Sequence, residues 1–311
     1  MAKRNFKWKF FPNLRSAKDL KAYLEEQKFQ HGQYCHYTSL RSLDSILGNK
    51  EFWISNVSYF NDCIDSNQFC ETDKQLCFAL CFATGKHENL PLWYLYSGMS
   101  GKGARVRFTK VSVRTLITTG RYFLRRIKRS ETGGWEIDLS FDAIELEEGK
   151  NMEKIWGDIV YYSNKNRDTP SLCVDLKYNT MTHHSFPANE FTEFQQNNIG
   201  FCKGLIWYYE KETRLLVRLT NEAAETVLND KIDGHETRYV VVLEFNDKVY
   251  KGLKITLAPE ADNIEEAINN HAAVRQFYTS HPKQMELSEH HGTLHMKVCD
   301  RCEYKKELTH V

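Results

Sequence analysis

The sequence predicts an α+β fold built on a mixed or split β-sheet with flanking helices. Segments of strand composition and segments of helical spacing follow one another along the chain. No internal repeat, low-complexity segment or linker divides it, and a length of 311 residues suits one large domain or two modest ones. We therefore expect a single domain over residues 1–311, with a core at about 30–260 and a C-terminal extension at about 261–311.

The first 120 residues are predicted to contain helices and strands in similar proportion. Ser16 is a candidate N-cap for a helix over 17–29, and Thr38 or Ser39 caps a second helix that Gly48 ends. Four strands are predicted, at 33–37, 51–55, 75–83 and 104–108. One further helix is predicted to begin at 89, and another to cover 111–118.

The remainder is predicted to be richer in strands. We expect strands at 135–141, 154–162, 206–219, 238–244 and 253–257, with a loop-rich stretch at 164–187. Helices are predicted at 189–203 and at 263–278, the second capped by Asp262.

Composition excludes several classes of protein. Lys plus Arg (42) nearly balances Asp plus Glu (41), so the net charge favours neither a nucleic-acid-binding protein nor a protein with an acidic partner. No apolar stretch reaches the ~18 residues that a membrane-spanning helix needs. The nine scattered cysteines suit reduced thiols, so we expect a cytoplasmic protein with no membrane partner. Cys299 and Cys302 form a C-x-x-C that would suit zinc, but the stretch also fits a strand and no second pair follows, so no metal is predicted.

The predicted strand at 206–219, I-W-Y-Y-E-K-E-T-R-L-L-V-R-L, contains two carboxylates two residues apart. In a strand, Glu210 and Glu212 would point to the same face, followed by Arg214. Two close carboxylates raise the pKa of one of them, whereas a nearby arginine lowers it. Such a cluster suits an active site, and the alternative is an exposed ladder of Glu and Arg side chains.

The most basic stretch, at 121–129, contains Arg121, Arg125, Arg126 and Lys128 next to aromatic residues. It suits either a phosphate backbone or a solvated surface. Glycine-rich phosphate loops, G-x-S-x-G and H-E-x-x-H are absent. His36, in H-Y-T-S before a helix, is a candidate for either a structural or a functional role.

Successive blocks of the chain resemble a bacterial family, domain of unknown function 2971, over about residues 33–220. The blocks are C-H-Y-T-S, Y-F-N-D, C-F-A, P-L-W-Y-L-Y, G-x-G-A-R-V-R-F and K-G-L-I-W-Y-Y-E-K-E-T-R-L. Three residues depart from the family pattern: Cys63 replaces a proline, Ala83 a serine and Thr213 an aromatic residue. If that serine contacts ligand, Ala83 lacks its hydroxyl.

That family is in turn similar to the ADP-ribosyltransferase superfamily, which implies a split β-sheet that binds NAD. The similarity implies that His36, Tyr37 and Thr38 contact the adenosine-side ribose and that Glu212, with Glu210, acts at the nicotinamide-side ribose. It also implies an aromatic wall for nicotinamide. The further NAD-binding residues implied are Tyr59, Phe60, Asn61, Trp93 and Arg214, with Arg105, Arg107 and Lys203 as candidate pyrophosphate partners.

The resemblance implies an NAD-dependent ADP-ribosyltransferase that modifies a macromolecule. A fixed carboxylate would stabilise the positive charge that develops on the ribose as nicotinamide leaves. The basic stretch favours a nucleic acid, RNA above all, over a protein as acceptor. Related bacterial enzymes act as toxins or anti-phage effectors, which implies an antitoxin or immunity partner. The alternatives are an NAD glycohydrolase and a non-enzymatic module that binds nucleic acid or protein.

Overall fold

A computed structural model describes residues 21–291 of the chain with several gaps. The gaps are at 23, 27, 61–64, 66–67, 86, 97–102, 132, 164–170, 177–179, 186–195, 197 and 231–235. For residues 163, 171–176 and 180–185 the structure describes the backbone alone.

The structure confirms an α+β fold with a mixed, mostly antiparallel sheet. Its strands are β1 (Gln33–Ser39), β2 (Glu51–Asn56), β3 (Cys77–Thr84), β4 (Gly103–Thr109), β5 (Arg121–Arg129), β6 (Trp135–Ile137), β7 (Ile144–Leu146), β8 (Met152–Asp158), β9 (Val160–Ser163), β10 (Ser171–Leu176), β11 (Thr180–Ser185), β12 (Cys202–Gly204), β13 (Glu212–Leu219), β14 (Thr237–Glu244), β15 (Lys254–Leu257) and β16 (Met285–Leu287). Its helices include α1 (Leu40–Asn49), α2 (Glu71–Leu76), α3 (Leu90–Tyr96), α4 (Lys110–Thr119), α5 (Asn221–Asn229), α6 (Asp247–Tyr250), α7 (Ile264–Ile268) and α8 (Ala272–Ser280). Short 3-10 helices cover Val57–Tyr59, Leu205–Glu210 and Pro282–Gln284.

Strand β3 lies at the centre of the larger sheet, which has twelve strands. One edge of β3 pairs with β13 from Cys77 to Ala83. The other edge is divided: its last residues pair with β1, and its first residues pair with β2. The strands β1 and β2 therefore diverge from the middle of β3, and a gap opens between two half-sheets.

The two half-sheets have different neighbours. On one side of the gap the order is β16-β15-β4-β1, and on the other it is β2-β14-β5-β6. A second sheet of four strands, in the order β11-β10-β9-β12, follows the end of β8. Within it, β12 runs parallel to β9.

The main hydrophobic core lies beneath the larger sheet and beneath α1 and α4. Leu40, Leu43, Ile46 and Leu47 of α1 are buried at helical spacing, and Ser39 caps the helix by accepting a hydrogen bond from the Ser42 N–H. The predicted cap by Ser39 is confirmed. The helix ends one residue later than Gly48 predicts, because Lys50 adopts the left-handed conformation at its C-cap.

The described residues from 261 to 291 pack against the same core. Val274, Phe277 and Met285 pack in the main cluster. Asp44 of α1 accepts hydrogen bonds from the N–H groups of Ala273 and Val274 at the start of α8. β16 pairs with β15 within the larger sheet.

Two predicted elements of the C-terminal half are wrong, and a third differs at the few residues that the structure describes. The single helix at 263–278 is two helices, α7 and α8, and Asn263 rather than Asp262 caps the first. The loop-rich stretch at 164–187 contains the hairpin β10–β11. The helix predicted at 189–203 lies largely outside the described residues, and its last two residues open strand β12 instead.

The strand predicted at 206–219 is also partly wrong. Its first part is the 3-10 helix Leu205–Glu210, and β13 begins only at Glu212. The pairing with β3 stops at the last residue of that strand: the Thr84 N–H donates to the Lys211 carbonyl oxygen at 2.8 Å, and residues before Lys211 lie beyond the end of β3. Lys211 adopts the left-handed conformation, with φ 44, and makes the turn between the two elements.

Candidate functional site

A cleft opens where β1 and β2 diverge from β3. Its volume is ≈ 250 Å³, and residues of β1, β2, β3, β13 and the 3-10 helix Leu205–Glu210 line it. His36, Glu210, Glu212 and Arg214, four of the predicted site residues, all line this cleft. The structure therefore brings together predicted site residues from three elements, β1, the 3-10 helix and β13.

His36 bridges the gap in the sheet. Its Nδ1 donates a hydrogen bond to the carbonyl oxygen of Cys81 on β3, at 3.1 Å. Burial lowers the pKa of His36, against the opposing effect of that hydrogen bond. The imidazole is therefore neutral at pH 7, with its proton on Nδ1 and an acceptor at Nε2.

Five charged side chains form one buried network at the floor of the cleft. Lys203 Nζ lies 2.6 Å from Glu210 Oε2, 3.3 Å from Glu212 Oε2 and 3.8 Å from Asp65 Oδ2. Arg214 donates to Glu212 through Nε at 2.8 Å and to Asp65 through both terminal nitrogens, at 3.1 and 2.7 Å. All five residues are buried, so the network holds three carboxylates and two cations away from bulk water.

The two glutamates of this network differ in protonation behaviour. Burial alone raises the pKa of Glu212, but Arg214 and Lys203 overcome it and lower that pKa to about 2. Burial raises the pKa of Glu210, and the Glu212 charge adds to this effect against the attraction of Lys203. Glu212 is thus ionised at neutral pH, whereas Glu210 is the carboxylate better suited to taking up a proton.

The glutamates reach the cleft from two different elements. Glu212 is the first residue of β13 and shares a face with Arg214, as predicted. Glu210 ends the 3-10 helix, and its Oε1 accepts a hydrogen bond from the Tyr96 hydroxyl at 3.2 Å. Glu210 and Glu212 are therefore not two residues of one strand, and the expectation that strand geometry places them on the same face is wrong. The two carboxylates nevertheless meet at one site.

A glycine supports the arginine of the network. The carbonyl of Gly200 accepts a hydrogen bond from Arg214 Nη1 at 2.6 Å, and Gly200 has φ +82. A Cβ there would lie 2.7 Å from the Phe69 ring. The variant Gly200→Ala is expected to lower the free energy of unfolding by about 1–3 kcal/mol, measured by urea denaturation.

Gly149→Ala is the matched control for that variant. Gly149 has φ +79 with nothing within 4 Å of an added Cβ, so it carries the backbone strain without the clash. An equal loss of stability in both variants would contradict a role for close packing at Gly200.

Aromatic side chains form the walls of the cleft. Tyr59, Phe60, Tyr96, Trp53 and Trp207 line it. Phe60 also covers the guanidinium of Arg214, with 4.8 Å from Cζ to the ring centroid, and Trp207 covers Lys203 at 5.0 Å. The predicted aromatic candidates Tyr59 and Phe60 therefore stand at the site.

Other predicted binding residues lie elsewhere. Trp93 is buried against Tyr37, with its Nε1 donating to Glu88 at 2.8 Å, so its ring does not face the cleft. Thr38 is buried in β1 and does not line the cleft, whereas Tyr37 does. Asn61, together with Cys299 and Cys302, lies outside the described residues.

The candidate pyrophosphate partners all have carboxylate neighbours. Arg105 is buried with Nη2 3.9 Å from Glu88, and Arg107 lies 2.6 Å from Glu286. Lys203 contacts the three acids of the network. The residues that line the cleft thus supply a carboxylate pair, a neutral imidazole and aromatic walls rather than an uncompensated cation.

The basic strand β5 divides its residues between two faces of the sheet. Arg121 and Arg125 lie on the face that includes Trp53, because Val242 of β14 is opposite both Trp53 and Phe123. Arg126 and Lys128 lie on the other face, where Arg126 pairs with Asp138 and Asp230 at 2.7 and 3.1 Å. The structure thus separates the four predicted nucleic-acid residues into two pairs.

Sequence reasoning missed Asp65, Tyr96 and the central position of Lys203. Asp65 follows a turn-like stretch and has no local pattern that distinguishes it from a loop carboxylate. The one sequence feature that links Lys203 to the site is its position in the block K-G-L-I-W-Y-Y-E, seven residues before Glu210. An arginine next to two carboxylates also calls for a second cation to balance the buried negative charge, and Lys203 is that cation.

Comparisons with known proteins give no further support for an identity. No protein-family model matches the chain, and neither the curated proteins nor the solved structures include a significant match. Among the described residues, no helix has the length and apolar character needed to cross a bilayer.

Proposed function

We propose that this protein is an NAD-dependent ADP-ribosyltransferase that modifies a macromolecule. One observation carries the proposal: a buried pair of glutamates with opposite pKa shifts lies with a neutral histidine in a cleft at the gap of a split sheet. Carboxylates whose environments move their pKa values apart are typical of sites that divide acid–base and electrostatic roles.

In this mechanism Glu212 supplies a fixed negative charge. The C–N bond between ribose and nicotinamide breaks, its electrons leave with nicotinamide, and positive charge develops on the ribose. Because Arg214 and Lys203 keep Glu212 ionised and oriented, its carboxylate stabilises that charge without reorganisation. Tyr59 and Phe60 are the candidate walls for the nicotinamide ring.

Glu210 is the candidate general base. Its raised pKa suits a carboxylate that accepts the proton of the attacking group. Tyr96 holds one of its oxygens, and Lys203 holds the other. His36, neutral and fixed by the Cys81 carbonyl, provides Nε2 as an acceptor for a ribose hydroxyl.

The size of the cleft limits how much of NAD it encloses. A volume of ≈ 250 Å³ is below the ~300–1,000 Å³ of sites for drug-sized ligands. A cleft of this volume accommodates the nicotinamide and its ribose, with the adenosine half outside it. The same small volume favours a second candidate function, NAD glycohydrolase activity with water as the acceptor.

A labelled-NAD assay tests the proposal. The purified protein is incubated with cell extract and NAD labelled in its ADP-ribose part, and the product is digested with RNase, DNase or protease. We expect release of nicotinamide and transfer of label to a macromolecule.

The pattern of products separates the candidates. Release of nicotinamide without labelled macromolecule would identify the glycohydrolase. A folded protein that neither releases nicotinamide nor transfers label would overturn both functions. The toxin-type role and the antitoxin partner depend on the transferase outcome, with growth arrest on expression as their readout.

A further inference from the structure

We propose that Glu88 is a positioning residue for Glu210, on which it acts through helix α3 and Tyr96. This inference rests on the proposed function, because Glu210 is the candidate general base. Glu88 does not line the cleft; it lies between α3 and the segment that follows β16. The inference depends on two sets of hydrogen bonds, one near each end of α3.

The carboxylate of Glu88 joins α3 to the segment after β16. Its Oε2 accepts hydrogen bonds from Trp93 Nε1 at 2.8 Å and from the Ser288 hydroxyl at 2.5 Å. Its Oε1 accepts one from the Glu289 N–H at 2.9 Å, and the Glu88 N–H donates to Glu289 Oε1 at 3.2 Å. Arg105 Nη2 lies 3.9 Å from the same carboxylate. The Glu88 side chain is 3% exposed, so these contacts replace water around a buried carboxylate.

Asn89 follows Glu88 directly and precedes the first residue of α3. Its Nδ2 donates a hydrogen bond to the carbonyl oxygen of Tyr209, in the 3-10 helix that ends at Glu210. Its N–H donates at 2.9 Å to the hydroxyl of Tyr37, which lines the cleft. A shift of Glu88 would therefore displace a contact that lies one residue from the candidate base.

Tyr96, the last residue of α3, contacts Glu210 itself. Its hydroxyl donates to Glu210 Oε1 at 3.2 Å, while Lys203 Nζ donates to Oε2 at 2.6 Å. The helix has seven residues, and a helix this short depends on tertiary contacts for its stability. The hydrogen bond from Trp93 to Glu88 is one of those contacts. The hold on Glu88 therefore helps to keep the Tyr96 hydroxyl on the base.

The hydrogen bond from Tyr96 affects the protonation of Glu210. The titratable and charged groups around this carboxylate are Tyr96 of α3, Cys81 of β3, Lys203 of β12, Glu212 and Arg214 of β13, Asp65 and the adjacent Tyr209. Burial raises the pKa of Glu210 and the Glu212 charge adds to the rise, whereas Lys203 and the Tyr96 hydrogen bond oppose it. Loss of the Tyr96 bond therefore raises this pKa further, and the base stays protonated up to a higher pH.

Hydrogen exchange of the full chain, followed by mass spectrometry, measures the connection without any activity. Ser288→Ala removes one donor to Glu88 and leaves the carboxylate and its other partners in place. We expect the amides of α3 and of the 3-10 helix Leu205–Glu210 to exchange about 3- to 10-fold faster in this variant, the factor that loss of one hydrogen bond gives. Circular dichroism confirms that the variant is folded.

Glu286→Gln is the matched control in the same segment. Glu286 lies in β16, two residues before Ser288, and its side chain contacts Arg107 at 2.6 Å and Thr256 at 3.2 Å rather than Glu88. That side chain is 55% exposed, so exchange in α3 should stay within about twofold of the wild type. Equal acceleration in both variants would indicate general loosening of the segment and would overturn the role of Glu88.

The pH dependence of the transfer rate is the second readout. Tyr96→Phe removes the hydrogen bond to Glu210, so its acid limb should move to higher pH by about one pH unit. Ser288→Ala should move the acid limb in the same direction by less. The shift in the double variant should stay below the sum of the two, because Glu88 acts through Tyr96, and additive shifts would contradict that path. Tyr94→Phe, at an exposed position of the same helix, should leave the acid limb in place.

The two readouts distinguish this inference from the proposed function. Nicotinamide release and label transfer are measured on the same protein samples. Faster exchange in Ser288→Ala but not in Glu286→Gln, from a protein without either activity, supports the hold of Glu88 on the Glu210 segment and overturns the transferase. An active enzyme whose exchange and acid limb are unchanged in Ser288→Ala overturns the role of Glu88 and leaves the transferase standing.

Discussion

Replacement of Glu212 by glutamine is expected to reduce kcat/KM for nicotinamide release at least about 100-fold, the usual effect of removing one fixed electrostatic group at a developing charge. The amide keeps the size of the side chain and a hydrogen-bond acceptor, but it carries no negative charge towards the ribose. The measurement is the initial rate of nicotinamide release at saturating and subsaturating NAD. A rate within about threefold of the wild type would remove Glu212 from the catalytic role.

Glu210→Gln is the matched comparison, since it changes the neighbouring carboxylate in the same network. Its expected effect is on transfer to the acceptor, about 100- to 10,000-fold for loss of a general base, with a smaller effect on nicotinamide release. A base must be deprotonated, so the transfer rate of the wild type should rise with pH through the raised pKa of Glu210. That acid limb should be absent in Glu210→Gln. The reverse pattern in the two variants would exchange their assigned roles.

Replacement of Arg214 by methionine is expected to lower the free energy of unfolding by about 3–5 kcal/mol, because removing one partner of a buried ion pair leaves the other charge uncompensated. Arg214 is 1% exposed and holds Glu212, Asp65 and the Gly200 carbonyl. Urea denaturation followed by tryptophan fluorescence gives the value.

Arg218→Met, in the same strand, is the control for the Arg214 variant. Arg218 pairs with Asp73 at 2.8 Å, but its side chain is 48% exposed. A surface pair contributes about 0–1 kcal/mol, so this variant should be nearly as stable as the wild type. Similar losses in both arginine variants would contradict the buried network as a source of stability.

The stability of the protein in acid gives a second readout of the same network. The pKa of Glu212 is lowered to about 2 in the folded chain, against an ordinary value of about 4.3. Its ionised form therefore contributes stability above about pH 4.3, and this contribution is lost as pH falls towards 2. In Arg214→Met the folded pKa of Glu212 moves back towards its ordinary value, so this acid-dependent loss of stability should be smaller and should be complete at a higher pH.

Local patterns in the sequence predicted most of the elements that border the cleft. The strands β1, β2, β3 and β4 and the helix α1 were predictable because apolar residues follow strand or helical spacing and Ser39 is a good cap. Residue type and spacing singled out Glu210 and Glu212 as a candidate site, and both line the cleft.

The remaining features depend on contacts between distant segments. The 3-10 helix Leu205–Glu210 has the composition of a strand, but it lies beyond the end of β3 at Thr84, and the left-handed Lys211 turns the chain there. The bidentate hold of Asp65 on Arg214 joins residues 149 positions apart. Likewise, the division of the β5 side chains between two faces of the sheet depends on the register with β14, which local sequence does not specify.

The site is assembled from both sheets, because Lys203 and Glu212 extend from different ones. Lys203 extends from β12, in the four-stranded sheet, whereas Glu212 begins β13 in the larger sheet. A chain in which only the larger sheet has formed would contain Glu212 and His36 but lack the ammonium group that orients both glutamates. On the proposed mechanism, catalysis therefore requires both sheets, and a molecule in which the four-stranded sheet has not yet docked stays inert.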